Sequence, residues 1–145
     1  MNLSFWTIRA AQAEDIPAML KLWQDVEEIK SNIADTPERV QGFLELNQSS
    51  FMVAVAEKTL IGTIMGGYNG WRGSIYHLVV DPRFRGYGIA RDLMEHCLAA
   101  LCRRGAVRVD LTTLSFNTRA QAFYRKMGFV QRSDIKNFSY TYQQE

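Results

Sequence analysis

The chain has 145 residues, 47% hydrophobic and 22% charged, enough for one globular domain with a sizeable core and with little room for a second. Every apolar stretch is broken within a few residues by glycine or charge, which excludes a membrane-spanning helix, and the start MNLSFWTIRAAQAED lacks a basic segment followed by an apolar one. A soluble cytoplasmic protein, with no membrane partner and no metal, is expected.

Net charge is +2, but residues 1–60 carry −4 and residues 61–145 carry +6. The split suits ordinary surface charge, or an anionic ligand held by the second half and a cationic one by the first. No recognised nucleic-acid module interleaves the basic residues with aromatics, so nucleic acid is not expected as a partner.

In chain order, Phe5–Arg9 reads as a strand, and Ala13–Val26 as an amphipathic helix with Ile16, Met19, Leu20 and Trp23 on one face. Thr36 caps a second helix, with Pro37 at its first position and Val40, Phe43 and Leu44 at helical spacing. Phe51–Ala56 and Leu60–Gly66 are strands around the short turn EKT, and the Asn-Gly turn in YNGWRGS leads into a third, Ser74–Val80. This is an antiparallel meander. The run IYHLVV is almost wholly apolar, as for a central strand covered on both faces.

The pattern then changes. Ile89, Leu93, Cys97 and Leu101 recur every four residues, so residues 86–104 form a long helix ending at Gly105. Val107–Thr112 is the next strand, and Asn117 caps a helix running to Met127 with Gly128 as its stop. Phe129 and Val130 resume extended structure, and Phe138, Tyr140 and Tyr142 alternate in a final strand, which could equally be core or the edge of a homodimer. The order is β-α-α-β-β-β-α-β-α-β-β, an α/β (α+β) fold on a mixed, mostly antiparallel sheet in a single domain, 1–145. Cys97 and Cys102 are five apart on one helix, point in different directions, and are expected as reduced core residues.

The junction VVDPRFRGYGIARDLM passes from strand through proline and two glycines into helix. The first turn of such a helix leaves backbone N–H groups without internal partners, all pointing one way. They make an anion site. Gly86 and Gly88 let a phosphate approach the backbone, and the helix dipole with Arg83 and Arg85 favours its charge. A dinucleotide-binding loop would need a third glycine where Arg91 stands, and the preceding meander is not a βαβ unit; a Walker loop would need Gly-Lys-Ser/Thr.

L-V-V-D-P-R-F-R-G-Y-G-I-A, followed about thirty residues on by N-T-R-A-Q-A-F-Y-R-K-M-G-F, resembles the two signature motifs of the GNAT superfamily of acetyl-CoA-dependent N-acetyltransferases. GTIMGGYNGWRGS is further similar to small bacterial members of the YpeA type. The resemblance implies the GNAT acyl-CoA N-acyltransferase fold, acetyl-CoA as co-substrate and an amine as acceptor. It places R-x-x-G-x-G/A on Arg83, Gly86 and Gly88 around the pyrophosphate of coenzyme A, with Arg85, Tyr87, Ile89 and Ala90 beside them. It also implies that the strand bearing Leu78 and Val80 pairs through its backbone with the pantetheine arm. Asn117 would contact that arm as well as cap its helix, and Tyr124 would be the general acid for the departing thiolate.

The base stays open. Thr112 stands where some members of the family carry a glutamate, and Glu27, Glu28, Tyr76, His77 or a water chain remain candidates. The first two helices, which line the acceptor side in the family, carry Asp25, Glu27, Glu28, Asp35, Glu38 and Glu45, which suits a cationic acceptor, a small molecule or a protein amine. The alternative reading is a non-catalytic acyl-CoA-binding sensor or interaction module.

Overall fold

Strands β1 (Thr7–Ala10), β2 (Phe51–Ala56), β3 (Thr59–Tyr68) and β4 (Gly73–Val80) pair antiparallel, each with the next, and β5 (Val109–Leu111) joins β4 in parallel. The computed structural model describes residues 4–26 and 33–143, which fall into two compact units, one through Thr112 and one from Thr113. The expected mixed, mostly antiparallel sheet and the meander within it are both present. β2 and β3 turn through Glu57 and Lys58, whose φ of +46° and +69° provide the left-handed pair that a two-residue hairpin needs.

In the first unit, helices cover both faces of the sheet. A single 3₁₀ turn, Ala13–Asp15, leads into α1 (Ile16–Gln24), and α2 (Pro37–Leu46) starts where the Thr36 hydroxyl accepts the N–H of Arg39 at 3.2 Å. These two helices pack Ile16, Met19, Trp23, Val40 and Leu44 against Phe51, Val53, Met65 and Val79. The opposite face takes α3 (Ile89–Arg104), whose Leu93, Met94, Cys97 and Leu101 are fully buried. Gly66 makes its close approach possible: a Cβ there would strike the Cys97 sulfur and lie 2.7 Å from the Ser50 carbonyl oxygen.

In the second unit Asn117 caps α4 (Thr118–Lys126), and Gly128, at φ +97°, ends it. The strands expected at Phe129–Val130 and over Phe138–Tyr142 are not formed: no described residue beyond Leu111 is in a strand. Phe138, Tyr140 and Tyr142 are each more than three-quarters exposed. Their alternation satisfies the period of a strand, but a strand also needs a neighbour for its N–H and C=O groups.

Other expectations are corrected in detail. The long helix begins at Ile89, not residue 86, because Gly86 and Gly88 both hold left-handed φ that no α-helix accommodates. Cys97 is buried as expected, but Cys102 is exposed, since the helix turns it away from the sheet. IYHLVV is not covered throughout, for Tyr76 is 52% exposed. No helix among the described residues is long and apolar enough to cross a membrane.

Candidate active site

β4 ends at Val80, and Asp81 caps the 3₁₀ turn Pro82–Phe84 by accepting the backbone N–H of Arg83 at 2.9 Å. The same carboxylate takes the Arg83 guanidinium at 2.8 and 3.2 Å. That hydrogen-bonded guanidinium holds the Asp81 carboxyl below the usual range. Arg83 therefore reaches the loop already paired by direct hydrogen bonds, whereas Arg85 acts on the same carboxylate through its charge.

Gly86 and Gly88 follow at φ +89° and +97°, and a Cβ on either would meet nothing within 4 Å. Their glycines are required by the backbone rather than by packing, and the space beside them is open. Gly88 is the N-cap of α3 and offers no side chain, so the cap residue gives no oxygen to the first-turn N–H groups at Ile89 and Ala90. The loop is also buttressed by aromatic rings. Phe5 packs edge-on against half-exposed Tyr87 at 5.0 Å and lies 6.1 Å from Phe84, while the Trp6 indole N–H donates to Asp92 in the first turn of α3 at 2.9 Å.

Ahead of the loop, β4 changes partners. Its parallel pairing with β5 covers only Gly73, Ser74 and Ile75, so from Tyr76 to Val80 no strand among the described residues pairs on that side. On the other side, β4 stays on β3 through a bulge: Val79 faces Thr63 and Tyr76 faces Met65, which sets His77 and Leu78 opposite Ile64 alone. His77 holds φ +46°, and its Nε2 lies 2.9 Å from an Asp35 carboxylate oxygen. Leu78 is half-buried and Val80 buried.

Asn117 and Tyr124 belong to the second unit, at the start and in the last turn of α4. The Asn117 side-chain oxygen accepts the N–H of Ala120 at 3.1 Å, so the capping role is real. Tyr124 packs between the rings of Phe123 and Phe129, and burial raises its phenol pKa, opposed in part by the charge of Arg119. At neutral pH it keeps its proton.

Residues 16–129 match the acetyltransferase (GNAT) family. The chain belongs to that family. It is thus an acetyl-CoA-dependent N-acetyltransferase, and solved GNAT structures resemble it over most of its length. Ard1 from Thermoplasma volcanium is 27% identical, with a TM-score of 0.80 over 90% of this chain and 86% of its own. An aminoglycoside acetyltransferase from an uncultured soil metagenomic sample, in complex with sisomicin, is 22% identical with a TM-score of 0.75 over 96% and 97%. The PaiA N-acetyltransferase from Thermoplasma acidophilum, in complex with coenzyme A, is 19% identical with a TM-score of 0.75 over 92% and 94%. The last two likenesses concern the fold.

Within this GNAT chain, then, the first unit brings together Leu78, Val80, Arg83, Arg85, Gly86, Tyr87, Gly88, Ile89 and Ala90 along one strand end, loop and helix start. Glu27 and Glu28, named as candidate bases, lie outside the described residues. Reading the sequence alone misses the Asp81 carboxylate on Arg83, although Asp81-Pro82 repeats the cap-and-proline signal of Thr36-Pro37. It also misses Trp6, whose partner Asp92 is 86 residues away, and, although Asp35 is counted there among the acidic residues, its pairing with His77, 42 residues away; neither pairing carries a local signal.

Proposed function

We propose that this protein transfers the acetyl group of acetyl-CoA to a primary amine by direct attack on the thioester, with residues 1–145 acting as one cytoplasmic N-acetyltransferase domain. The family match supports the single domain, because it runs across both compact units. The observation that carries the reading is the side of β4 that β5 leaves unpaired from Tyr76 to Val80, leading straight to a glycine loop open above the start of α3. An extended pantetheine arm fits such an edge as an added strand fits, by hydrogen bonds to the main chain of Leu78 and Val80. The pyrophosphate then meets the N–H groups around Gly86, Tyr87, Gly88, Ile89 and Ala90, with Arg85 and Arg83 for its charge.

Chemically, a neutral amine adds to the thioester carbonyl, and a backbone N–H of β4 stabilises the oxyanion of the tetrahedral intermediate. The C–S bond breaks next. Tyr124, its proton retained by burial, gives that proton to the departing thiolate, while Asn117 steadies the arm and caps α4. The acceptor is a cationic small molecule or a protein amine. Asp25, Glu38 and Glu45 on and beside the first two helices support the cationic choice, as does the aminoglycoside bound to one structural relative.

Incubating the protein with acetyl-CoA and a panel of polyamines, aminoglycosides, amino acids and peptides, while following CoA thiol, tests this. Thiol release that depends on an amine supports the reading. Tight binding of acetyl-CoA without release from any amine would instead select a sensor.

A further inference from the structure

We infer that His77, oriented by Asp35, accepts the proton that the acceptor ammonium must lose before attack; the inference rests on the acetyl-transfer reading above. The β4 bulge turns two consecutive side chains onto the face of the sheet covered by α1 and α2. Tyr76 packs on Phe43 at 5.9 Å, and the His77 ring sits edge-on to Trp23 at 4.6 Å. A non-glycine residue at φ +46° is held there by its surroundings. Its carbonyl accepts the Thr63 hydroxyl at 2.8 Å, and Thr63 in turn accepts the buried Trp23 indole N–H at 2.9 Å.

Asp35 fixes the ring from the other side. An ionised carboxylate only accepts, so the 2.9 Å contact places the imidazole proton on Nε2 and leaves the Nδ1 lone pair available. The His77 side chain is 20% exposed, so the ring is in part open to solvent. It immediately precedes Leu78 and Val80, about 10 Å of strand in all, on the side of β4 that β5 leaves unpaired. Around the ring, α1 contributes Trp23, β3 Thr63, and the segment before α2 Asp35. Among the described residues the last is the charged group in contact with the ring, with Tyr76 beside it on β4.

The protons balance as follows. The ammonium gives one proton to Nδ1 and thence to water, the amine adds to the carbonyl carbon, and the C–S bond breaks. The new amide nitrogen sheds a second proton, which restores the one that Tyr124 gives to sulfur.

His77→Gln can still hydrogen-bond Asp35 but cannot take up a proton, and Asp35→Asn removes the bias toward the Nε2–H tautomer. With the best strongly basic amine of the panel, kcat/KM of His77→Gln should fall roughly 10²–10⁴-fold at pH 7 and then climb with pH toward the amine's own pKa. With methoxyamine, neutral at pH 7, it should stay within about threefold of wild type, the loss expected when no base is needed. Equal loss with both acceptors, in a variant whose circular dichroism matches wild type, makes His77 a structural pin and overturns the inference. A second readout is independent of turnover. The chain has two histidines, so long-range ¹H–¹⁵N spectra compared with His96→Gln identify His77, which should show protonated Nε2 and bare Nδ1, a preference lost in Asp35→Asn. A proton on Nδ1 in the neutral wild type overturns the inference alone, whereas a wild type that releases CoA with no amine overturns the acetyl-transfer reading and this with it.

Discussion

Trp6 and Asp92, 86 residues apart, share a 2.9 Å hydrogen bond that ties the segment before β1 to the first turn of α3. Together with Phe5 on Tyr87, it holds the N-terminal segment against the Gly86–Gly88 loop, the site proposed for the pyrophosphate. Trp6→Phe keeps most of the ring and removes the donor. It should cost about 1 kcal/mol, which for a chain of this size lowers Tm by roughly 4 °C. If the bond also positions the loop, KM for acetyl-CoA should rise several-fold while KM for the amine stays put. Thermal melts and the two KM values check both parts.

Gly86→Leu separates the site from the fold. No neighbour lies within 4 Å of the new Cβ, so the penalty to folding is the left-handed backbone, about 1–2 kcal/mol. The side chain fills the space proposed for the pyrophosphate. Calorimetry should find acetyl-CoA binding abolished in a protein whose circular dichroism is unchanged.

Arg83 and Arg85 should differ in effect. Arg85→Ala is expected to weaken acetyl-CoA about 10-fold or more, the scale of a charge-assisted hydrogen bond. Arg83→Ala should cost less affinity, because Asp81 already neutralises that guanidinium. It should also alter the acid limb of stability. Asp81, held below its ordinary pKa by Arg83, contributes stability present above the unfolded carboxyl pKa of about 3.9 and lost as pH falls through its lower folded value. Acid titrations of both variants, beside calorimetry, measure this.

Tyr124→Phe keeps the ring between Phe123 and Phe129 and deletes the hydroxyl. Its kcat should fall roughly 10²–10⁴-fold with acetyl-CoA affinity within a few-fold of wild type. The deficit should shrink as pH passes about 8.5, where a thiolate is stable without a donated proton. Full kcat at every pH would make Tyr124 a packing residue.

Cys97 and Cys102 should label at very different rates. A disulfide reagent at pH 8 should modify one thiol per folded chain, exposed Cys102, and reach Cys97 only on unfolding. Burial pushes the Cys97 thiol up to about 12 from 9.0. A raised folded pKa means stability that is present below the unfolded value and lost as pH rises toward 12. Cys97→Ala should therefore lose less stability between pH 8 and 10.5 than wild type does, as melts at the two pH values would show.

Much of the protein is written locally. Thr36-Pro37 and Asn117 cap their helices through side chains three residues or fewer from the groups they satisfy, and Gly105 and Gly128 end theirs by tolerating left-handed φ. The meander is legible for the same reason, since short turns leave successive strands no choice but to pair with one another. The spacing of Gly86 and Gly88 after Pro82 likewise shows a loop that leads into a helix start.

Other features were decided only by the fold in three dimensions. Where β4 parts from β5 depends on β5 reaching only Leu111, and whether Phe138–Tyr142 is a strand depends on a partner edge rather than on its alternation. The bulge that brings Tyr76 and His77 onto one face arises from pairing with β3, and Gly66 is required by a sulfur on a helix 31 residues further along the chain. Trp6 found Asp92, and His77 found Asp35, because packing the helices on the two faces of the sheet carried them together. Hydrogen bonds between residues so far apart leave no period, cap or spacing in the sequence, since their partners become neighbours only after the chain has condensed.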